Sequence, residues 1–259
     1  MTDQPSGPQT NARRHLLWAA VIWLVLTIAG LVAVRLWAAD SFPFLATEEG
    51  AVADDAILFL SYLVIPVFTF VLVAVGYAMV RFRVRPDDAG DSPSQPRTHR
   101  GYAMTWLGVT SALAVLVIIH PGITGLAEIW DARDEPDPLV VEVTAQQWEW
   151  SFSYPDYGIE NQAELVVPVG EPVRFVITSE DVIHSFWIPA FRIKQDAVPG
   201  ATMELTLTPD RVGDTGTSEM LRVQCAELCG LGHAEMAAEV RVVTAAEFEQ
   251  WTAEAGGGM

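Results

Sequence analysis

The sequence predicts a two-part chain: a membrane anchor of three α-helices followed by an all-β sandwich. Three observations carry this reading. Residues 16–34, 56–80 and 101–119 contain no Asp, Glu, Lys or Arg, and each is long enough to cross a hydrocarbon core that needs about 20 apolar residues. From Leu139 onward the pattern changes to short β-branched segments broken by Pro and Gly, the spacing of a sandwich or barrel. Charge divides the same way. Of a formal net charge of −18, the residues from Pro121 onward hold 24 acids against 7 bases, a net of −17.

Residues 1–15 carry Arg13 and Arg14 and read as a cytoplasmic N-terminus ahead of a first span over 16–37. A cleaved signal peptide is the alternative for that segment, because an Arg pair precedes an apolar run. The run is longer than the usual 7–15 residues of a signal core, and Ala38-Ala39 makes a poor cleavage site, so a retained helix is expected. The second and third spans are placed at 56–80 and 101–120, the last ending at His120-Pro121, where proline stops a helix. The connection from Asp40 to Asp55 has no Lys or Arg, whereas Arg81, Arg83, Arg85, Arg97 and Arg100 fill the connection between the second and third spans. The positive-inside rule puts the N-terminus and the 81–100 loop in the cytoplasm, so three crossings leave the C-terminal domain on the periplasmic or extracellular side of the cell membrane. Ser61, Pro66, Thr69, Gly76 and Ser111 supply the small or polar positions that helices use to pack in lipid.

The β domain is expected over 138–255. Leu139–Thr144, Leu165–Val169, Val173–Ile177, Met203–Thr208 and Ala238–Val243 read as strands, and Glu180–Pro189 is a further β-prone run. Trp148 and Trp150 alternate with polar neighbours as strand residues do, so burial in the sheet is the default for either ring. Thr244-Ala245-Ala246-Glu247 has capping-box spacing, with Phe248 and Trp251 on one face of a short closing helix and a frayed Gly256–Met259 tail.

The chemistry is concentrated in twelve residues, Cys225-Ala226-Glu227-Leu228-Cys229-Gly230-Leu231-Gly232-His233-Ala234-Glu235-Met236, which contain both cysteines of the chain. Soft sulfur beside imidazole selects copper or zinc over calcium or magnesium. A single blue-copper ion wants one Cys, two His and a weak Met, and here there is a second Cys. Structural zinc wants four strong ligands, which leaves Met236 without a role. A Cys225–Cys229 disulfide is a further alternative in an oxidising compartment. Two thiolates bridging two copper ions use the whole set, provided a second histidine arrives from elsewhere. His184, at the head of an apolar β-prone segment, is the partner expected. Ligands on two loops at one end of a β-sandwich fit a cupredoxin-like Greek-key fold.

The Cys loop and the His184 segment together resemble subunit 2 of cytochrome c oxidase, which carries the binuclear CuA centre. Gln147-Trp148-Glu149-Trp150-Ser151-Phe152-Ser153-Tyr154 is similar to the family's aromatic stretch, Ile193–Gly200 matches after the histidine strand, and all blocks keep the family's order across roughly residues 56–243. The resemblance implies that Cys225 and Cys229 bridge two coppers, that His184 and His233 are terminal ligands, and that Met236 and the Glu227 carbonyl are axial. It implies that the Glu227 side chain reaches a magnesium ion at the interface with the catalytic subunit. It also implies that Trp148 is where electrons enter from cytochrome c, and that Asp181 lies near the docking face.

On this resemblance the chain takes electrons from cytochrome c and passes them to haem in a catalytic haem-copper subunit 1, where oxygen reduction and proton pumping occur with other oxidase subunits. A CuA subunit of a nitric oxide reductase, or a membrane-tethered copper-delivery or zinc-binding module, are the competing readings. The acidic domain repels nucleic acid and steers a basic protein donor, or simply keeps the domain soluble. No nucleophile–base arrangement, phosphate-binding Gly loop or paired carboxylate site stands out in the sequence. Two features depart from the family. It usually has two spans, which makes 16–37 the addition, and many members carry a glutamate at a proton-channel mouth where this chain has Ala103. Asp87, Asp88 or Asp91 are candidates to replace it, and His120 is expected to be interfacial rather than a ligand.

Overall fold

The computed structural model describes residues 8–41, 44–83, 99–131 and 136–256. Asp87, Asp88, Asp91, Arg85, Arg97 and the last three residues of the tail lie outside the described residues. The chain forms two compact units, one within Met1–Ser41 and Ile57–Ile118, the other within Phe42–Ala56 and Ile119–Met259.

The first unit is helical. Helices α1 (Pro8–Ser41), α2 (Glu48–Arg81) and α3 (Arg100–Val117) follow in order, and among the described residues three helical stretches are long and apolar enough to cross a membrane. Their outward faces are lined by Leu, Val, Phe and Trp side chains, a surface that suits hydrocarbon and not water. Polar contacts join α1 to α2. Thr27 and Thr69 share a buried hydroxyl contact at 2.7 Å, Trp23 Nε1 donates to the Pro66 carbonyl at 2.8 Å, and His15 Nδ1 meets the Tyr77 hydroxyl at 2.8 Å. Gly30 makes room for the Ile65 side chain, since a Cβ there would sit 2.8 Å from Ile65 Cγ2.

The first two helices outrun the expected spans. The second begins at Glu48 rather than at residue 56, and its start is capped: Gly50 N donates to Thr47 Oγ1 at 3.1 Å, which satisfies one of the free amides of the first turn. The third does not stop at proline. The chain kinks at His120, whose φ of −136° and ψ of 122° are extended, and then resumes as α4 (Thr124–Asp131). Pro121 breaks the hydrogen-bond ladder without forbidding a new helix after it. His120 Nδ1 lies 2.9 Å from Thr124 Oγ1.

The second unit is a β-sandwich. One sheet has the order β3 (Ile159–Gln162), β2 (Glu149–Tyr154), β1 (Leu139–Gln146), β5 (Val173–Ser179) and β8 (Met203–Leu207). The other has β4 (Leu165–Pro168), β11 (Ala237–Val243), β10 (Arg222–Cys225), β6 (His184–Trp187) and β7 (Lys194–Ala197), with β9 (Gly213–Asp214) on β11. The chain crosses between the sheets repeatedly, as a Greek-key sandwich requires, and the pairs β1–β5 and β4–β11 are parallel. Alternation along β1 and β5 sends Val141, Val143, Phe175 and Ile177 inward, where they meet Phe152, Phe186, Val223 and Val240. Each fully buried side chain of this size contributes about 2 kcal/mol by leaving water.

Two fastenings complete the unit. The buried Tyr154 hydroxyl donates to Val166 O and accepts from Val166 N, both at 2.9 Å, tying β2 to β4 across the sandwich, and burial pushes its pKa up. Helix α5 (Ala245–Gly256) closes one end with the expected capping box: Thr244 N and Oγ1 donate to Glu247 Oε2 at 2.9 and 2.7 Å, and Glu247 N donates back to Thr244 Oγ1 at 3.3 Å. Its Phe248 and Trp251 pack against Tyr154.

The stretch 44–56 also belongs to this unit. Ala46 N donates to Ala190 O, Asp210 N donates to Ala46 O, and Thr47 pairs with Pro209. The buried Glu49 carboxylate accepts from Thr208 N at 3.1 and 2.9 Å, and Asp54 pairs with Arg192 Nε at 2.8 Å. The expected boundary at 138 therefore misses a second, distant piece of the domain.

Candidate metal centre

Strand β10 ends on Cys225, and the loop that follows returns on itself before β11 begins. Cys225 N donates to Met236 O at 3.0 Å, closing the loop, and Ala226 N donates to Ser185 O at 2.9 Å, pinning it to β6. A single turn of 3-10 helix, His233–Glu235, follows Gly230, whose φ of +119° only glycine adopts without strain. This places Cys225, Cys229, His233 and Met236 around one point. From the neighbouring strand, fully buried His184 points Nδ1 at the same point.

The distances form a consistent set. Cys225 Sγ lies 3.8 Å from Cys229 Sγ and 3.8 Å from His184 Nδ1. Cys229 Sγ lies 3.5 Å from His233 Nδ1 and 3.7 Å from Met236 Sδ. The Glu227 carbonyl is 3.1 Å from Cys225 Sγ. A disulfide needs sulfurs about 2.05 Å apart, and both cysteines are free. Donors bound at about 2.0–2.3 Å to a shared metal ion stand roughly 3.3–3.8 Å from one another, and the four sulfur–sulfur and sulfur–imidazole distances fall in that range. The ligand atoms of His184, Cys225 and Cys229 all lie within 4.8 Å of one another.

The electrostatics point the same way. Burial, with the hydrogen bond and charge of Cys225 beside it, pushes the Cys229 thiol up to about 11. Without a cation the thiolate form is disfavoured. A soft cation reverses that preference, because a coordinated thiol loses its proton. Two sulfurs of cysteine, one thioether, two imidazoles and one carbonyl suit copper and not a hard cation.

Behind the first ring of donors, Asp181 Oδ1 contacts His184 Nε2 at 2.8 Å, leaving Nδ1 to face the sulfurs. Asp181 Oδ2 accepts from Gln147 N at 2.8 Å. Burial acts to raise the Asp181 pKa, but hydrogen bonds from His184, Gln147 and Val182 outweigh it and hold the carboxylate below its usual range. A carboxylate on the far nitrogen of a ligating histidine fixes ring orientation and tautomer.

Trp148 lies over the loop with 41% of its surface exposed. Its Nε1 reaches the Cys229 carbonyl at 3.3 Å, and Gln147 Nε2 reaches the same oxygen at 2.6 Å. Trp150, by contrast, is buried, with its ring edge-on to His184 at 6.1 Å and to Phe186 at 5.8 Å. The Glu227 side chain is exposed. The structure thus brings together all six residues expected as metal ligands, and sets Trp148 above them and Asp181 behind His184. Sequence reasoning did not single out Gln147. Its only signal was its place immediately before Trp148.

The chain was compared with known proteins. A family model described as cytochrome c oxidase subunit II, periplasmic domain, matches residues 158–243. The chain is 33% identical over 244 residues to cytochrome c oxidase subunit 2 of Bacillus subtilis, covering 90% of this chain and 68% of that protein. It is 29% identical over 267 residues to an alternative cytochrome c oxidase subunit 2 of Bradyrhizobium diazoefficiens, covering 90% of each. Among solved structures, the periplasmic domain of subunit II of cytochrome oxidase from Bradyrhizobium japonicum is similar over 48% of this chain and 96% of that one, with 35% identity and a TM-score of 0.42. The domain pattern lies on the strands and loop that build the sulfur–imidazole cluster, and the relatedness extends through the helices: the chain belongs to the cytochrome c oxidase subunit 2 family.

Proposed function

We propose that this chain is the subunit through which electrons enter a haem-copper terminal oxidase. It receives them one at a time from a c-type cytochrome, whose haem iron goes from ferrous to ferric, and delivers them to the catalytic subunit for oxygen reduction coupled to proton pumping. The observation that carries this reading is the convergence of four further donor groups around two thiols 3.8 Å apart. Cys225 and Cys229 would hold two copper ions, with His184, His233, Met236 and the Glu227 carbonyl as the further ligands. When bound, the copper pair supplies a one-electron acceptor whose charge is shared between two ions.

The rest of the unit orients and shields. Burial of His184, Cys225, Cys229 and Met236 excludes water from the donors, and Asp181 keeps the His184 ring in one tautomer. Trp148 is the exposed group through which the donor makes contact, and a net charge of −17 from Pro121 onward favours a basic donor. The exposed Glu227 carboxylate would be free to hold a magnesium ion at the interface with the catalytic subunit.

The three apolar helices span the cell membrane with the N-terminus inside and the β unit on the periplasmic side. Helix α1 is retained in the mature protein. Its buried Thr27–Thr69 contact and the Trp23–Pro66 hydrogen bond are the kind of polar seam that membrane helices use to associate, and a segment due for removal has no need of one. The intact mass of the chain purified from membranes tests this: loss of residues 1–38 would refute it.

The test of the central reading is electron-spin resonance of the copper-loaded full chain. A purple protein with a seven-line hyperfine pattern from two equivalent coppers is expected. A four-line pattern, or a colourless zinc protein, would reject the binuclear site in favour of a copper-delivery or zinc-binding module.

A further inference from the structure

Gln147 stands in the turn between β1 and β2, an exposed position that would ordinarily be free to vary. It is instead tied to the metal loop from two directions. Its main-chain N–H donates to Asp181 Oδ2 at 2.8 Å, and the other oxygen of that carboxylate contacts His184 Nε2 at 2.8 Å. Its side chain reaches across to the Cys229 carbonyl at 2.6 Å. Only the NH2 end of an amide can donate to a carbonyl, so this contact also fixes which way the amide faces.

The residue that follows shares the same acceptor. Trp148 Nε1 lies 3.3 Å from the Cys229 carbonyl, a longer and weaker contact than the one Gln147 makes. The indole rests on the glycines of the loop: a Cβ at Gly232 would come within 2.5 Å of Trp148 Cδ2, and one at Gly230 within 3.4 Å of Trp148 Cζ2. The shorter Gln147 hydrogen bond beside it ties the turn to the loop more firmly than the indole contact does.

We propose that Gln147 is a positioning residue that latches the Trp148 indole onto the metal loop through the Cys229 carbonyl. It acts by keeping Trp148 and Cys229 as one rigid unit, through a main-chain carbonyl of the loop. The proposal rests on the reading that electrons enter at Trp148, and the experiment separates the two.

Two variants remove the latch while keeping its bulk. Gln147→Met has the length without the donor, and Gln147→Glu keeps the shape but sets an acceptor against an acceptor. In the metal-free full chain in detergent, amide hydrogen exchange across residues 228–233 is expected to accelerate roughly two- to tenfold in both variants, the change in opening equilibrium that one typical hydrogen bond makes. In the assembled oxidase, the first-order rate of electron uptake at saturating reduced cytochrome c is expected to fall by a similar factor, with the dissociation constant for cytochrome c unchanged. Wild-type exchange rates in both variants would overturn the proposal. So would a weaker dissociation constant with exchange unaltered, which would make Gln147 a docking contact instead. Trp148→Phe serves as the control: if it leaves uptake unchanged, the reading of Trp148 fails, and the exchange measurement still decides whether Gln147 latches the loop.

Discussion

Strand β6 joins two differently built places in the β unit, and the contrast between them shows how this chain divides its information. At its start, His184 meets a loop whose donors lie within twelve residues of one another, and Asp181, three residues earlier, braces the ring. Just beyond its end, the turn Pro189–Phe191 and Arg192 are gripped by a segment more than a hundred residues away. Thr47 Oγ1 donates to Phe191 O at 3.2 Å, and Asp54 pairs with Arg192. Both places use carboxylates as acceptors, but the first arranges atoms for chemistry and the second arranges chain segments for stability. The lesson is that local spacing encodes the site, while distant pairing encodes the platform that carries it.

The sharpest way to break this comparison is to remove one sulfur. Cys229→Ser is expected to abolish the two-copper hyperfine pattern and to lower bound copper by at least half, because Cys229 neighbours Cys225, His233 and Met236 at once. Metal analysis of the purified full chain checks it. A retained seven-line spectrum would mean that the bridging assignment is wrong.

At the other place, Arg192→Met should do the reverse. It strands the Asp54 carboxylate in a pair whose side chains are only 11% and 14% exposed, so the β unit should lose about 3 kcal/mol, read by denaturant unfolding. The copper spectrum of the folded fraction should not change. A perturbed spectrum would show that the clamp and the metal loop are coupled.

Trp148→Phe keeps an aromatic face but removes the indole donor to Cys229 O. It is expected to slow electron uptake from cytochrome c with the copper spectrum intact, and raising salt should weaken donor docking if the −17 field steers it. Salt-independent kinetics would leave solubility as the role of those acids.

The smallest effect is expected far from both places. Thr244→Ala removes the N-cap of α5 and should cost about 1 kcal/mol, measured by the same unfolding. The Thr244 hydroxyl and amide hold the Glu247 carboxyl below its usual range. Its contribution to stability is therefore present above the ordinary glutamate range and fades as pH falls through the lowered value. In Thr244→Ala that acid-side loss should shrink.

How much was legible in the sequence follows the same division. The helices were legible because a charge-free run long enough for a bilayer has few other uses. Five strands and the closing helix were legible from β-branched runs and the Thr244–Glu247 spacing. The metal loop was legible because both cysteines, His233 and Met236 fall on one short segment. The short strands β3, β7 and β9 were not, since runs such as Ile159–Gln162 and Lys194–Ala197 are polar and their pairing is imposed by neighbours. The capped start of α2 was also hidden. Glu48 and Glu49 look like loop acids until Thr208 supplies the amide that Glu49 accepts from.

Three apolar helices, a β domain bearing the acid charge, and the residues that carry the sulfur and imidazole can all be read along the chain. Periodicity, charge and ligand spacing are local properties, readable without coordinates. Only the tertiary structure decided that residues 44–56 complete the β unit, that Asp181 stands behind His184, and that Gln147 and Trp148 share the Cys229 carbonyl. Each of those is a contact between residues three to 159 positions apart, and apart from the Asp181–His184 pair the chain must fold before they can be seen.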